Sequence, residues 1–362
     1  MKKRIFALFL IVSMVATLVG CNKRDMMSSS APSLVVEEIK QEISKYAVNP
    51  LTGTETLEKD AVNLRPTAIM INNIETAWGV QASLSKADIV YETYVEGGIT
   101  RLMAVFKDIR TVGDNKIGSL RSGRYSYLDL ALGHDARFVH AGLDNVYCKP
   151  YINRLGTTTV DLNTTYTQGN IVGGNSCAAR IPNGLSLEHT LYTTGNKLYK
   201  LLKSSADMKL SEPQENWQNF VSEDNKYVPA DGECKKLYVP FSSMYTAEFK
   251  FNSKTGSYDK YRYGEIQKDY DNKNKEISFK NVLILYSNVT YFSDGTHVKT
   301  EMGSGEGYYV SNGGYRKIKW TKEAARDSLK ITDDSGKEID FNPGNTYVCF
   351  TNSSNKGSTT FK

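Results

Sequence analysis

Histidine is scarce in this sequence, with four among 362 residues. His134 and His140 lie near one another and near Asp135, but no pair has the spacing of a recognised zinc motif. The chain also lacks a second carboxylate cluster or a divalent-metal set of the kind that phosphoryl transfer needs. We therefore expect neither a metal site nor a cofactor, and His140 stays a candidate catalytic residue at the end of a predicted strand.

An excess of charge of one sign is also missing. The formal net charge of the full sequence is +5, and removing residues 1–20, with Lys2, Lys3, Arg4 and no acids, lowers it to +2. A nearly neutral chain gives no support to a nucleic-acid partner.

The N-terminus is typical of an exported lipoprotein. A basic start is followed by the apolar run 5–19, which is too short for a permanent transmembrane helix. Small residues then lead into Cys21, as in a bacterial lipobox, although a plain signal peptide with an incidental cysteine would look similar. Acylation of Cys21 with palmitate-like chains would anchor the protein to the outer face of the cytoplasmic membrane. We predict a signal peptide at 1–20 and a polar tether at 21–60.

Alternating strand-like and helix-like segments predict an N-terminal α/β layered domain at 61–210. Strands are expected at 67–71, 99–106, 116–120 and 137–139, and helices at 81–95, 125–133, 143–155 and 185–202. A polar linker follows at 211–232. Many short strand candidates separated by turn residues then predict a β-rich, mainly antiparallel C-terminal domain at 233–362.

Ionisable side chains concentrate at the ends of the elements between residues 84 and 140. On the predicted helix 81–95, Glu92 and Glu96 would share one face. Arg101 follows a Gly-Gly turn, while Arg121 and Arg124 lie at a strand-to-helix junction. Guanidinium groups bind carboxylate or phosphate oxygens bidentately, and a Ser122 hydroxyl beside a helix start would add donors.

Three interpretations of this cluster remain open. The glutamates could pair with the arginines in a buried structural network. Arg101, Arg121, Ser122 and Arg124 could instead form a cleft that binds an anion or a glycan. In the third interpretation the cleft is catalytic, with Glu92 or Glu96 as the base.

The remaining cysteines favour disulfides, because an even number of them would reside outside the membrane. The pairing Cys148–Cys177 and Cys234–Cys349 avoids crossing the linker. It is one of three possible connectivities, and free buried thiols are the alternative.

Four segments resemble the signature blocks of the YerB-like lipoprotein family, which has a two-part domain of unknown function. They are RPTAIMINN at 65–73, LSKADIVYE at 84–92, VEGGITR at 95–101 and IGSLRSGR at 117–124. Asp135, FVHAG at 138–142, WTK at 320–322 and PGNTY at 343–347 extend the resemblance across nearly the whole mature chain. The family usually has proline where Ser119 stands, and one arginine and one proline of its pattern are missing from 76–84.

The resemblance implies an envelope location and two domains, and it implies no reaction. We expect a membrane-anchored, extracytoplasmic lipoprotein that binds a cell-wall glycan, an anionic polymer or an envelope protein. The alternative is an envelope enzyme that acts on cell-wall polymer or on a lipid-linked phosphate.

Overall fold

Strands dominate the computed structural model, which describes residues 44–205, 208–210 and 212–362. The first strands are Tyr46–Ala47 (β1), Leu57–Glu58 (β2), Thr67–Ile71 (β3), Ile89–Tyr94 (β4), Thr100–Phe106 (β5), Lys116–Gly118 (β6), Arg137–His140 (β7), Thr159–Asp161 (β8), Ile171–Gly173 (β9), Ala179–Arg180 (β10) and Leu191–Thr194 (β11). The α-helices are Tyr125–Leu132 (α1), Cys148–Leu155 (α2) and Gly195–Ser205 (α3). Of the helices in these ranges, none is long and apolar enough to cross a membrane.

The rest of the chain forms strands and short turns. These strands are Asn219–Phe220 (β12), Gly232–Glu233 (β13), Lys236–Pro240 (β14), Thr246–Asn252 (β15), Ser257–Arg262 (β16), Glu265–Ile266 (β17), Ser278–Phe279 (β18), Asn281–Ser287 (β19), Val289–Tyr291 (β20), Val298–Thr300 (β21), Ser304–Ser311 (β22), Gly314–Thr321 (β23), Lys330–Thr332 (β24), Asp340–Phe341 (β25), Thr346–Asn352 (β26) and Thr360–Phe361 (β27). The fold class is as predicted, an N-terminal α/β part followed by a β-rich, mainly antiparallel part.

One twelve-stranded sheet runs through both halves, in the order β13-β23-β22-β19-β26-β4-β5-β3-β7-β8-β9 with β24 beside β23. The halves join where β26 pairs with β4 in parallel. On the N-terminal side, β5 is antiparallel to β4 and β3, while β3, β7, β8 and β9 are parallel to one another. A six-stranded antiparallel sheet contains β14–β18 and β27.

The large sheet buries apolar side chains on both faces. Along β3, Ile69 and Ile71 contribute to one hydrophobic cluster, while Ala68 and Met70 contribute to the other. The first cluster includes side chains of the six-stranded sheet and of α3, and the second includes those of α1. A strand that is covered on both faces has a continuous apolar sequence. Residues 67–71 have such a sequence, and the strand predicted there is confirmed.

Burial of a strand on both faces also explains one wrong prediction. Residues 81–95 do not form a helix: Leu84–Lys86 is a short 3₁₀ turn, and Ile89–Tyr94 is strand β4. All six residues of β4 are buried, so its apolar positions do not alternate. Periodicity alone cannot distinguish such a strand from a buried helix. Glu92 and Glu96 therefore do not share a helical face.

Other predicted elements are confirmed with shifted ends. Helix 125–133 is α1, strand 99–106 is β5, strand 116–120 is β6 and strand 137–139 is β7. The predicted helix 143–155 begins only at Cys148, and the predicted helix 185–202 begins only at Gly195, because strand β11 occupies 191–194.

Part of the predicted tether belongs to the folded body. Leu51 and Leu57 are buried, and the Asn49 side-chain amide donates to Asp88 Oδ1 at 2.9 Å. The linker prediction fails in part too, because Trp217 is buried and β12 pairs with β25. The signal peptide and Cys21 lie outside the described residues, and the domain boundaries at 210 and 233 stay a prediction.

The structure contradicts the predicted disulfides, since Cys148, Cys177, Cys234 and Cys349 are free and buried. Cys148 belongs to one hydrophobic cluster and Cys177 to the other, so the large sheet separates them. Burial raises the pKa of the Cys148 and Cys234 thiols to about 12 and that of Cys177 and Cys349 above its usual value. These thiols are packing residues, the alternative that the sequence left open.

Candidate functional site

The carboxyl ends of the parallel strands meet at one edge of the large sheet. Since β3 and β4 are both antiparallel to β5, they end at the same edge, as do β7 and β8. Polar side chains follow these strands, among them Asn72 after β3 and Glu96 after β4. In open α/β sheets, ligands bind outside the carboxyl ends of the strands. This edge is therefore where a site is expected.

The segment 119–124 lies across this edge and connects two strand ends. Its Arg121 amide donates to the Met70 carbonyl of β3 at 3.1 Å, and the Ala141 amide after β7 donates to the Arg121 carbonyl at 3.0 Å. Helix α1 begins directly after Arg124. The segment thus places Arg121, Ser122 and Arg124 above the strand ends.

Arg101 lies beneath this segment and is 6% exposed. Its Nη1 donates to the Ser122 carbonyl at 2.6 Å. Within the described ranges, no carboxylate oxygen lies within 4.0 Å of its guanidinium. Burial, together with the positive charges of Arg124 and Arg121, lowers the pKa of Arg101 to about 9. The three predicted arginines therefore lie close enough to affect one another electrostatically.

Arg124 forms a bidentate ion pair with Glu96. Its Nε lies 2.8 Å and its Nη2 2.7 Å from Glu96 Oε2. Burial alone would raise the pKa of Glu96, but the hydrogen bonds and charge of Arg124 bring it below its usual value. Glu96 is therefore an ionised structural partner of Arg124 and is poorly suited to act as a base.

Arg121 pairs with a residue that the sequence did not single out. Its Nη2 donates to Glu188 Oε2 at 2.9 Å, and Glu188 is about half exposed. The same carboxylate lies 3.4 Å from His189 Nε2. Because the partner of Arg121 is accessible to solvent, a stronger anion could displace it at modest cost.

A groove of about 250 Å³ opens beside this cluster. Gly142 belongs to its lining, and a Cβ placed on Gly142 would lie 3.3 Å from the Ser122 hydroxyl. With a φ of +80°, Gly142 also has a backbone conformation that favours glycine. Lys149, Asp161 and Tyr166 line the rest of the groove.

His140 does not face this groove. It is fully buried, and its Nε2 lies 3.1 Å from the Thr159 hydroxyl. Burial lowers its pKa to about 4, while the charge of Asp161 opposes the shift. A neutral imidazole without access to solvent cannot contact a substrate, so the prediction of a catalytic role is not supported.

The other residues considered for a metal site are also separated. His134 follows α1 at the opposite end of β7, where its Nε2 lies 2.7 Å from the Tyr91 hydroxyl. Asp135 pairs with Arg65 at 3.3 Å. Across the described ranges, no group of three or more histidine, cysteine or acidic side chains could hold a metal ion.

Glu92 belongs to a different, buried cluster between the two sheets. It is 2% exposed. Its carboxylate accepts from Asn73 Nδ2 at 2.9 Å, from the Thr100 hydroxyl at 2.6 Å and from the Tyr347 hydroxyl. Such a carboxylate is a structural centre and has no access to a ligand, so the prediction that Glu92 is a base fails.

Two buried cations that the sequence did not reveal accompany Glu92. Arg262 donates to Asn73 Oδ1 at 3.0 Å and stacks on Trp78, with Cζ 3.7 Å from the ring centre. The Lys260 ammonium lies near the rings of Phe249 and Tyr347 and has no hydrogen-bond partner in the described residues. Both lie on β16, where the alternating sequence does not show which face of the strand is buried. Only the packing of the six-stranded sheet against the large sheet identifies these two cations as buried.

The comparisons with known proteins agree with this architecture. Residues 51–209 match the model described as "Protein of unknown function (DUF3048) N-terminal domain", and residues 237–348 match the corresponding C-terminal domain. The matched ranges lie on either side of the predicted linker.

A curated relative and a solved structure extend the similarity. The chain is 25% identical over 344 residues to "Putative lipoprotein YerB" of Bacillus subtilis (strain 168), with 91% of this chain and 90% of the relative covered. It also resembles the crystal structure of YerB protein from Bacillus subtilis with a TM-score of 0.68 at 23% identity, over 87% of this chain and 99% of that one. The solved structure supports the fold.

Proposed function

The chain belongs to the DUF3048 family, both of whose domains it contains, and from this premise we propose that it is a lipid-anchored, extracytoplasmic protein that binds an anionic ligand. Arg101, Arg121, Ser122 and Arg124 would form the binding site. The name of the Bacillus subtilis relative supports the anchor, as does the basic, apolar start of the sequence that ends at Cys21.

The excess of positive charge at the sheet edge supports anion binding. Glu96 and Glu188 offset two of the three arginines, and the buried Arg101 has no carboxylate within 4.0 Å among the described residues. A ligand phosphate or carboxylate would meet the half-buried Arg121 and Arg124, with the charge of Arg101 beneath them. Ser122 adds a hydroxyl that makes no hydrogen bond in the described part of the chain.

Binding without turnover is favoured over the enzyme alternative. Of the three proposed catalytic residues, Glu92 and His140 are buried and Glu96 is held by Arg124. General acid–base catalysis needs a side chain within hydrogen-bond reach of the substrate, and none of these three meets that condition.

The anchor is tested by Cys21→Ser. We expect the variant to be lost from the membrane fraction and to appear as precursor or in the medium, because the thiol that receives the acyl chains is gone. Cell fractionation and immunoblotting measure this, with Cys177→Ser as the control that removes a buried thiol elsewhere. If Cys21→Ser stays in the membrane fraction as the control does, the protein is not anchored through this cysteine.

The binding site is tested by Arg121→Gln, with inorganic polyphosphate as the probe. A lost charge-assisted hydrogen bond costs about 1.5–3 kcal/mol, so we expect an affinity loss of roughly 10- to 150-fold. The matched control is Arg316→Gln. Arg316 is 27% exposed and near an acidic partner, as Arg121 is at 25%, but it lies on β23.

Isothermal titration and thermal melting separate binding from folding. The melting temperature of Arg121→Gln should stay close to that of the wild type, because a partly exposed ion pair contributes little. Affinity of the wild type should fall as salt is added. Equal affinities of Arg121→Gln and Arg316→Gln, or a wild type that binds no polyphosphate, would refute the anion site.

A further inference from the structure

An aromatic groove of about 310 Å³ lies where the start of α1, helix α2 and the residues after β20 meet. Its walls are the rings of Tyr125, Tyr147, Tyr151 and Phe292, and Arg154 and Lys299 belong to its lining. All four rings are half-buried, which leaves part of each accessible. A concave surface lined by aromatic rings with a few polar groups is typical of a small-molecule binding site.

The aromatic rings support one another. Tyr147 and Phe292 are stacked, with ring centres 3.8 Å apart and planes 15° apart. Tyr125 contacts Phe292 and Tyr151 edge-on, with ring centres at 5.3 Å and 6.1 Å. The Tyr151 hydroxyl donates to Asp129 at 2.6 Å, and the Tyr125 hydroxyl donates to the Thr300 carbonyl at 3.0 Å. Their ring faces are thereby fixed in position.

The loop that holds Phe292 is attached to the start of α2 by His297. Its Nε2 lies 3.2 Å from Asp144 Oδ1, and its Nδ1 lies 2.6 Å from Asp294 Oδ2. Asp144 also accepts from the amides of Val146 and Cys148 at 2.7 Å and 3.1 Å. Two chain segments far apart in sequence are thus held in one arrangement, so little ordering remains to be done when a ligand binds.

The polar groups of the groove are available to a ligand. The Tyr147 hydroxyl has no hydrogen-bond partner within the described ranges, and the Arg154 guanidinium, which lies beside the Tyr151 hydroxyl, has no carboxylate oxygen within 4.0 Å there. The Arg154 guanidinium lies 4.8 Å from the centre of the Tyr151 ring, at the rim of the groove. It can therefore offer its two parallel N–H donors to a carboxylate.

We propose that this groove binds a pyranose saccharide that carries a carboxylate. The C–H faces of a sugar ring are apolar and pack on aromatic faces, while its hydroxyls need hydrogen-bond partners such as Tyr147. A purely apolar ligand would leave the Arg154 guanidinium without a carboxylate, whereas Lys299 already pairs with Glu301 at 3.2 Å. The site is independent of the arginine cluster, because it shares none of its side chains.

The test uses trigalacturonate as the acidic probe and maltotriose as the neutral one, measured by isothermal titration on the full folded chain. We expect trigalacturonate to bind the wild type and to bind Tyr147→Ser at least 10-fold more weakly. Tyr147→Phe should retain most of the affinity, since it keeps the ring and removes only the hydroxyl. Arg154→Gln should weaken trigalacturonate binding and leave the weaker maltotriose binding unchanged.

The matched control is Tyr291→Ser, on strand β20 directly before Phe292. Tyr291 is 58% exposed and does not line the groove, so its loss should not change the affinity. Absence of saccharide binding, or equal affinities of Tyr147→Ser and Tyr291→Ser, would overturn the proposal. So would trigalacturonate binding that is lost in Arg121→Gln but kept in Tyr147→Ser, since the sugar acid would then occupy the arginine cluster.

Discussion

Replacement of Glu92 by Gln is expected to lower the free energy of unfolding by about 3–5 kcal/mol, because removing this buried carboxylate leaves the buried cations near it uncompensated. Lys260 and Arg262 are 2% and 7% exposed. In the variant, these two cations would remain buried without the carboxylate whose charge favours their protonated forms. The shape of the side chain is conserved, so the loss reports charge and hydrogen-bond acceptance and not a cavity.

Chemical denaturation at pH 7 measures this effect, with Glu265→Gln as the matched control. Glu265 is exposed at the start of β17, and its replacement should change the free energy of unfolding by less than about 0.5 kcal/mol. A Glu92→Gln protein as stable as this control would show that Glu92 does not compensate the two cations.

The sequence predicts correctly the helices and strands whose local pattern agrees with their tertiary environment. Helix α1 is predicted at 125–133, and its apolar side chains, among them Tyr127, Leu128 and Ala131, are buried in the structure. Strand β3 is predicted because an apolar run lies between a proline and two asparagines. In both cases the local pattern and the tertiary environment agree, which is the condition under which sequence patterns are reliable.

Long-range pairing determines what the sequence could not reveal. Strand β4 lies between β5 and β26, and β26 is more than 250 residues away along the chain. Nothing within 81–95 indicates that partner, so the sequence pattern predicts a helix where the structure has a strand. The disulfide prediction is wrong for the same reason. The sequence does not show that Cys148 and Cys177 lie on opposite sides of one sheet.

The arginine cluster was predicted in part. Arg101, Arg121 and Arg124 do lie together, because the strand ends and the segment 119–124 share one sheet edge. Their partners were not identified: Glu188 comes from a distant turn, and Glu92 belongs to another cluster. Arginines at element ends were therefore a useful signal, whereas the spacing of the glutamates was misleading because it assumed a helix.

Lys260→Met is expected to raise the free energy of unfolding at pH 7 by about 1–3 kcal/mol, because burial lowers the pKa of the ammonium by more than Glu92 raises it and each pKa unit corresponds to about 1.4 kcal/mol. The Lys260 ammonium is buried without a hydrogen-bond partner among the described residues. Burial and the charge of Arg262 lower its pKa to about 8, although the charge of Glu92 opposes the shift. Methionine has a similar length and would pack against the same aromatic rings without the desolvation cost.

The pH dependence of this gain follows from the direction of the pKa shift. Between about pH 8 and the unfolded-state pKa of about 10.4, the native lysine is neutral while the unfolded one is still protonated. The unfolded state then binds more protons, so wild-type stability rises with pH in this window. The advantage of Lys260→Met should accordingly shrink between pH 7 and pH 10. Lys254→Met, at an exposed turn position, should show neither the gain nor its loss.

A double-mutant cycle measures how strongly Glu92 and Lys260 interact. In the Lys260→Met background, Glu92 compensates Arg262 alone, so Glu92→Gln should cost less than in the wild type. Coupling of about 0.5–3 kcal/mol is typical of residues in one interacting network. If the two changes are additive to within measurement error, Lys260 and Glu92 do not interact. The stability gain of Lys260→Met would then come from removing the desolvation cost of the buried ammonium alone, and it would still shrink towards pH 10.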